Sequence, residues 1–261
     1  MKAYCINLDR RTDRLHYMTQ QFSHLGMMVE RFPATDGSLP EVAAAAALAQ
    51  LTELGLRISV GAYACFQSHR EVWRKIAASG ETHGLVMEDD LVLAEGFSTY
   101  LQDGWVPPGA DVVRLETFLT RAHLDVLPKV RAGSRYLQRL RSTHIGAGCY
   151  VLSAAAAQRL HECTTVIRDP IDVVLFSDSS ELFSKLAIYQ MVPAPAAQQH
   201  RLHPETGTAN WLTSNIVKRF ESEVPTEAAR RETALGRAKR RLVESVRARR
   251  KGTRYIVVPF G

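Results

Sequence analysis

The chain has 261 residues, of which 46% are hydrophobic and 23% charged, long enough to bury a substantial core and without the composition of a disordered body. No apolar stretch approaches the ~18 residues of a membrane span, and Lys2, Asp9, Arg10, Arg11, Asp13 and Arg14 break up the run a signal peptide would need. The net charge of +6 is uneven: residues 218–254 hold 13 Lys/Arg against 5 Glu, a balance of +8, so the body before them is slightly acidic. Cys5, Cys65, Cys149 and Cys163 lie in apolar or helical contexts with no close CxxC pair. That favours reduced thiols over disulfides or zinc ligands, and with the missing leader it gives the expectation of a cytoplasmic protein.

In chain order, residues 2–8 read as a buried strand. Arg10 to Leu25 reads as a helix with Leu15, Met18, Phe22 and Leu25 on one face. A strand near Met27 to Phe32 runs into the turn-like Thr35-Asp36-Gly37. Pro40 opens an alanine-rich helix that closes near Gly55. A helix from Gly61 to Ala78 gathers Phe66, Trp73 and Ile76 on one side and leads to a strand at Gly84 to Met87. Further strands are predicted at Asp111 to Leu115, Tyr136 to Leu140, Gly148 to Leu152 and Leu186 to Met191, while 116–135 and 199–213 read as the least structured stretches. The βαβα alternation predicts an α/β fold, a mostly parallel sheet with helices on both faces.

The C-terminal part reads differently. Leu235, Ala238, Leu242 and Val246 recur at helical spacing, and Arg237, Lys239, Arg240, Arg241, Arg247, Arg249, Arg250 and Lys251 cover the rest of the surface. The division expected is a body over 1–217 and a basic amphipathic helical tail over 218–261. Such a helix can lie on an anionic membrane surface, or dock on the body or on a second subunit. Without interleaved aromatics or a recognised motif, no nucleic-acid partner is expected.

The most informative residues are Glu88-Asp89-Asp90, directly after the apolar run Gly84-Leu85-Val86-Met87. Adjacent carboxylates repel unless a cation or hydrogen-bond donors hold them together. The carboxyl end of a strand in an open α/β sheet is where ligands bind, and hard oxygen donors there suit Mg²⁺ or Mn²⁺ carrying a phosphate. A solvated acidic turn is the alternative.

Around the triplet stand other blocks: Ala3 to Arg14, Thr35-Asp36-Gly37, Cys65-Phe66-Gln67-Ser68-His69-Arg70-Glu71-Val72-Trp73, Gly146 to Ser153, Asp169-Pro170-Ile171-Asp172, then Pro195, Gln198 and Ser214-Asn215-Ile216. Together, over about residues 1–217, they resemble glycosyltransferase family 25, the lipopolysaccharide and lipooligosaccharide glycosyltransferases. Gly61-Ala62-Tyr63-Ala64-Cys65 departs from the family pattern, where an acidic residue and a second glycine are expected.

The resemblance implies a GT-A (nucleotide-diphospho-sugar transferase) fold and transfer of galactose or glucose from a UDP-sugar donor to a lipooligosaccharide or other glycan or glycolipid acceptor. It also implies an inverting reaction supported by Mn²⁺ or Mg²⁺. A catalytically silent nucleotide- or glycan-binding relative is the alternative, and the oligomeric state stays open. In this reading Asp90 is the first metal ligand and Glu88 a second contact or a ribose partner, while Asp89 turns away toward backbone or a basic neighbour. Asn7 and Leu8, at the end of the first strand, suit the uracil or ribose. Arg10 and Arg14, four apart on one helical face, suit the diphosphate or acidic residues, and Arg11 supplies a third fork-shaped cation. Asp9 and Asp13 are helix caps or salt-bridge partners. Asp36 is a nucleotide contact or a plain turn aspartate.

His69 is expected to hold the site, with Trp73 stacked beneath it, and Gly146-Ala147-Gly148 to allow close approach of a sugar or phosphate, or simply a tight turn. An inverting transfer needs a base on the acceptor hydroxyl. Asp172 is the candidate, Glu116 its rival, and Asp169 the N-cap before Pro170. Gln198, His200 and His203 fall where another metal or diphosphate contact is expected. The enzyme would work at the inner face of the membrane, with residues 218–254 as its possible anionic-surface contact.

Overall fold

Along the first strand, β1 (Lys2–Asn7), Tyr4 and Ile6 join one apolar cluster while Ala3 and Cys5 join another. A strand with no polar face must be covered on both sides. The same alternation recurs in β3 (His83–Glu88), with Val86 against Leu85 and Met87, and in β10 (Cys149–Ser153), with Tyr150 and Leu152 against Cys149 and Val151. These strands form the middle of a large sheet in a computed structural model that describes residues 1–49, 58–102, 104–127, 129–202, 245 and 252–261.

The remaining elements, in chain order, are α1 (Thr12–His24), β2 (Glu30–Pro33), α2 (Pro40–Leu48) and α3 (Val60–Ala77) before β3. After it come β4 (Leu91–Leu93), a 3₁₀ turn at Phe97–Leu101, β5 (Val112–Arg114), β6 (Glu116–Thr117), β7 (Arg121–Asp125), β8 (Val130–Ala132) and β9 (Arg135–Arg139). Following β10 are α4 (Ala154–Cys163), α5 (Ile171–Phe176), α6 (Glu181–Lys185), β11 (Ile188–Val192), β12 (Ala196–Gln198), α7 (Gln199–Leu202) and β13 (Thr253–Val257).

The large sheet has eight strands in the order β2-β1-β3-β10-β5-β11-β9-β8. Six run in one direction and β10 and β9 run against them. The sheet is therefore mixed, mostly parallel in direction as the alternation predicts, with an antiparallel strand wedged between β3 and β5. On one face α1 contributes Met18 and Phe22. On the other, α3, α4 and α5 contribute Phe66, Trp73, Ile76, Leu160, Leu175 and Phe176. Each fully buried large apolar side chain of this kind stabilises the fold by about 1.5–3 kcal/mol.

Helix α3 lies especially close to β3. A Cβ on Gly84 would sit 2.5 Å from Ile76 Cγ1, so only glycine lets the helix approach this far. Ser59 caps α3 by accepting from the Ala62 amide at 3.1 Å. Two smaller sheets complete the fold: β4-β12-β6, with Leu91 opposite Gln198 and Glu116 opposite Ala196, and β13-β7.

Three expectations need correction. Residues 116–135 carry β6, β7 and β8; these strands are short and partly polar, so they lack the apolar run that marks a buried strand. Helix α2 stops at Leu48, where Ala49 turns extended, well before Gly55. The last residues, assigned to the helical tail, form β13 antiparallel to β7, and Val258 behind it is fully buried. The basic amphipathic helix expected over 218–254 falls, apart from Ser245 and residues 252–254, outside the described residues, as do His203 and Ser214-Asn215-Ile216.

Candidate active site

Where β3 ends, the three acidic residues part. Asp89 is neutralised from the first strand and helix: its oxygens accept from Asn7 Nδ2 at 2.7 Å and from Arg14 Nη1 at 2.8 Å. It meets a basic neighbour, as expected of the middle residue in an extended segment. Glu88 turns toward α3. Its Oε1 lies 3.4 Å from His69 Nε2 and 3.6 Å from the Cys65 thiol, and its Oε2 lies 3.4 Å from Gln198 Nε2. Burial opposes its ionisation, yet the His69 and Cys65 contacts and the charge of Arg14 hold its pKa below the ordinary carboxylate value.

Asp90 is the exception in the triplet. Its Oδ2 is 3.4 Å from Arg14 Nη1, while its Oδ1 is buried without a hydrogen-bond partner among the described residues. Burial, then the neighbouring Glu88, push its carboxyl well above the usual range. A buried carboxyl with one oxygen lacking a donor and an acidic neighbour beside it is what a hard divalent cation would ionise and hold. The donor set at Asp90 therefore fits Mg²⁺ or Mn²⁺.

The small sheet β4-β12-β6 assembles the rest. Because Leu91 pairs with Gln198 and Ala196 with Glu116, this sheet draws Gln198 and Glu116 up to the triplet. Glu116 is fully buried. Its Oε2 accepts from the Gly148 amide at 2.8 Å, its Oε1 has no partner among the described residues, and burial lifts its pKa to about 7 despite the nearby charge of Arg114. Asp172 is half-buried in the first turn of α5 and accepts from the Val173 amide at 2.9 Å. Burial, and to a lesser degree the charge of Glu88, raises its pKa. Glu88, Asp90, Glu116 and Asp172 thus form one electrostatically connected acidic group.

Arg114 answers that charge from beneath. The guanidinium is fully buried, donating to the carbonyls of Ile145 at 2.6 Å and Gly146 at 3.1 Å, contacting His144, and lying 3.8 Å from Glu116. Desolvation brings its pKa down to about 10, still a cation at neutral pH. Burial and Arg114 together push His144 down to about 2, so His144 is neutral. The glycines of Gly146-Ala147-Gly148 serve this arrangement. A Cβ on Gly146, at φ +113°, would meet Phe118 at 2.4 Å, and one on Gly148 would press on Glu116 Oε1 at 3.1 Å. The close approach is thus to Glu116 and Phe118 of the chain itself.

Several expected roles change. Asn7 is buried and engaged by Asp89, Arg11 and Arg31, so it braces the triplet. Arg10 lies outside α1 and pairs with Asp36, while Arg14 faces the triplet. The two do not act together, because the helix starts only at Thr12. Asp36 also accepts from the Ser38 amide and hydroxyl, a turn aspartate with Arg10 against it. Leu8 is half-buried at the end of β1.

Asp9 pairs with Arg31 and Asp13 with Arg11; neither caps α1. Pro170, with no side-chain cap, occupies the N-cap of α5 expected for Asp169. Trp73 is not stacked under His69; it packs edge-on against Phe66 and donates to the Tyr150 hydroxyl at 2.7 Å. His200 falls in α7, next to β12.

Sequence reasoning missed Tyr150, Arg114 and Gln190, whose Nε2 donates to the Glu116 carbonyl at 3.1 Å, and passed over Cys65 as a contact. Arg114 had a signal, a lone cation inside Val112-Val113-Arg114-Leu115. A charge in a buried strand needs a partner. All four cysteines are free, with Cys163 exposed. Among the described residues no helix is long and apolar enough to cross a membrane.

The sequence profile of glycosyltransferase family 25 (LPS biosynthesis protein) matches residues 1–175. The lacto-N-neotetraose biosynthesis glycosyltransferase LgtB of Neisseria meningitidis serogroup B is 25% identical over all of both chains. The lipooligosaccharide biosynthesis protein lic2B of Haemophilus influenzae is 27% identical over 77% of each. Among solved structures, a mannose-1-phosphate geranyltransferase from Thermus thermophilus aligns over 72% of each chain at 12% identity and a TM-score of 0.38.

Proposed function

Since this chain belongs to glycosyltransferase family 25 and is a glycosyltransferase of lipopolysaccharide or lipooligosaccharide biosynthesis, we propose that it moves galactose or glucose from a UDP-sugar onto a lipooligosaccharide or related glycan acceptor, with inversion, on a GT-A scaffold. The observation that carries this reading is the convergence of Glu88, Asp90, Glu116 and Asp172 at the carboxyl end of β3, with one oxygen of Asp90 left without a donor among the described residues. Buried, mutually repelling carboxylates cost folding free energy. A relative that binds only a neutral glycan would have no use for them.

In this mechanism Asp90 would hold Mn²⁺ or Mg²⁺, with Glu88 as the second contact. The cation, when bound, neutralises the charge that develops on the departing nucleoside diphosphate. Arg14 holds Asp89 and the near side of Asp90, so the unpartnered Asp90 oxygen is the one left for a ligand. The donor's nucleotide lies along the end of β1, near Leu8 and the Arg10–Asp36 pair. As the bond between the anomeric carbon and phosphate oxygen breaks, its electron pair leaves with the diphosphate. The acceptor oxygen forms the new bond from the opposite face and gives up its proton.

Asp172 takes that proton. It is half-buried and reaches solvent, whereas Glu116 is fully buried and tied to the Gly148 amide. A base must touch the hydroxyl it deprotonates. The acceptor's lipid anchor would place the enzyme at the inner membrane face, where the basic segment 218–254 meets anionic lipid.

The test is a panel of UDP- and GDP-sugars screened by thermal protection with and without Mn²⁺, followed by transfer assays with Asp172→Asn. Metal-dependent protection by a UDP-hexose is expected, because a ligand bound only to the folded state raises its stability. Asp172→Asn should keep that protection and lose transfer by roughly 10²- to 10⁴-fold. Protection by no UDP-sugar would overturn the donor assignment. Transfer surviving in Asp172→Asn but not in Glu116→Gln would exchange the two carboxyl roles.

A further inference from the structure

Four side chains form a chain from the core to the acidic triplet. Trp73 Nε1 lies 2.7 Å from the Tyr150 hydroxyl, that hydroxyl lies 2.9 Å from His69 Nδ1, and His69 Nε2 lies 3.4 Å from Glu88 Oε1. Trp73, Tyr150 and His69 are fully buried, so every proton in the chain needs an acceptor within the protein. Counting donors fixes their direction. The indole N–H can only donate, so the Tyr150 oxygen accepts from Trp73. The phenolic proton then needs an acceptor, and among the described residues His69 Nδ1 is the one within reach. Nδ1 therefore carries no proton, and Nε2 carries the hydrogen that faces Glu88.

The opposite tautomer fails on the same count. With a proton on Nδ1, the Tyr150 oxygen would accept twice and its own hydrogen would be stranded in a dry interior, a loss of the kind that destabilises buried polar groups. Nε2 would also turn a bare lone pair on the Glu88 oxygen. Only a cation would reconcile those two groups, and the geometry leaves that option visible. Cys65 Sγ, His69 Nε2 and a Glu88 oxygen all lie within 4.8 Å of one another, a spacing that a thiolate-binding divalent cation such as Zn²⁺ can bridge. The protonation of His69 Nε2 decides between a ligand set and a hydrogen-bonded support. The donor count decides for the support.

We infer that Trp73 and Tyr150 lock His69 as the Nε2–H tautomer, making His69 a positioning residue that, with the Cys65 thiol and Gln198, orients Glu88 and leaves Asp90 as the triplet's open oxygen. All three acidic side chains are then accounted for. Arg14 and Asn7 hold Asp89, three donors hold Glu88, and of the three Asp90 alone presents an oxygen with no donor among the described residues. The functional half of this inference rests on the proposed metal and donor site; the tautomer does not.

Two measurements on the full chain separate the two. Histidine ¹⁵N spectra of metal-free protein, with His69 assigned by its loss in His69→Gln, should show Nε2 protonated and Nδ1 unprotonated. Protonation at Nδ1, or stoichiometric Zn²⁺ binding abolished by Cys65→Ser, would overturn the inference whatever the enzyme transfers. The second measurement compares His69→Gln, whose amide can present N–H near the Nε2 position, with His69→Asn, whose shorter amide reaches only the Tyr150 side. If both variants fold, His69→Asn should lose roughly 10- to 100-fold in Mn²⁺-supported turnover or Mn²⁺ affinity, the usual cost of removing an outer-shell partner. His69→Gln should lose much less. Equal losses in the two variants, with the Nε2–H signature intact, would refute positioning alone, while absence of metal-supported donor binding in the parent protein would refute the site reading and leave the tautomer standing.

Discussion

Replacing Glu116 with glutamine should make the protein more stable, and only above a definite pH. Glu116 is fully buried, with one oxygen on the Gly148 amide and the other without a partner among the described residues. Burial raises its carboxyl from 4.5 to about 7, and Arg114, 3.8 Å away, offsets only part of that cost. Between those two values the folded protein binds a proton that the unfolded chain has released. Linkage then makes stability fall as pH rises through that window, the reverse of an ordinary salt-bridged carboxylate. The difference is about 2.5 pH units, and each is worth about 1.36 kcal/mol, so the ionised side chain costs about 3 kcal/mol once the pH is above 7. Glutamine keeps an acceptor for the Gly148 amide and carries no charge. Urea unfolding of metal-free parent and Glu116→Gln from pH 4 to 8 should show a stability gap that widens toward the variant by roughly 2 to 3 kcal/mol. A gap of constant size across that range would refute the raised carboxyl, and with it the idea that Glu116 changes charge near neutral pH.

Asp90→Asn should leave the fold intact and remove most metal-assisted UDP binding in calorimetry; binding like that of the parent would take the cation away from Asp90. Arg14→Met should be destabilising by roughly 3–5 kcal/mol in urea unfolding, because it strands Asp89 and the near oxygen of Asp90 in the interior. Adding Asp89→Asn should recover part of that loss, and no recovery would mean the damage is steric. Gly84→Ala should cost roughly 1–3 kcal/mol, since its methyl lands 2.5 Å from Ile76 Cγ1; an unchanged unfolding midpoint would show that α3 can retreat from β3.

The strands legible in the sequence were those buried on both faces, because an unbroken apolar run such as Gly84-Leu85-Val86-Met87 leaves few alternatives. The same run placed the acidic triplet correctly at a strand's carboxyl end. Strand direction was beyond local pattern: β10 looks like any buried strand, and only its pairing with β3 and β5 reveals that it runs against them. The contacts that define the site were hidden for a related reason. Tyr150 reads as one more core aromatic until the 81-residue separation to His69 is closed by folding. Arg10 and Arg14 looked paired because a helix was drawn two residues too early; starting it at Thr12 sends one cation to Asp36 and the other to the triplet.

The basic segment over 218–254 lies between one part of the fold that touches Glu88 and another that bonds to Thr117, the neighbour of Glu116. Before it, β12 ends at Gln198 beside Glu88, and α7 follows. After it, β13 pairs with β7, the Val258 carbonyl accepts from Thr117 Oγ1 at 2.7 Å next to Glu116, the Pro259 carbonyl accepts from the Ala194 amide at 2.8 Å, and Arg135 holds the Gly261 carbonyl oxygen at 2.7 Å. Ending the chain near Ile216 would remove these bonds along with the charge, so loss of function in a truncated form would say nothing about membranes. Charge has to be removed with β13 kept. Substituting Arg237, Lys239, Arg240, Arg241, Arg247, Arg249, Arg250 and Lys251 by glutamine leaves the last ten residues intact and makes the segment far less basic. The parent chain should sediment with anionic vesicles and not with neutral ones, and should be released as salt shortens the screening length from about 10 Å at 0.1 M to about 3 Å at 1 M. The substituted chain should remain in solution while keeping transfer to a soluble acceptor. Equal sedimentation of the two, or none by either, would sink the membrane assignment and leave docking on the body or on a second subunit as the role of the apolar stripe.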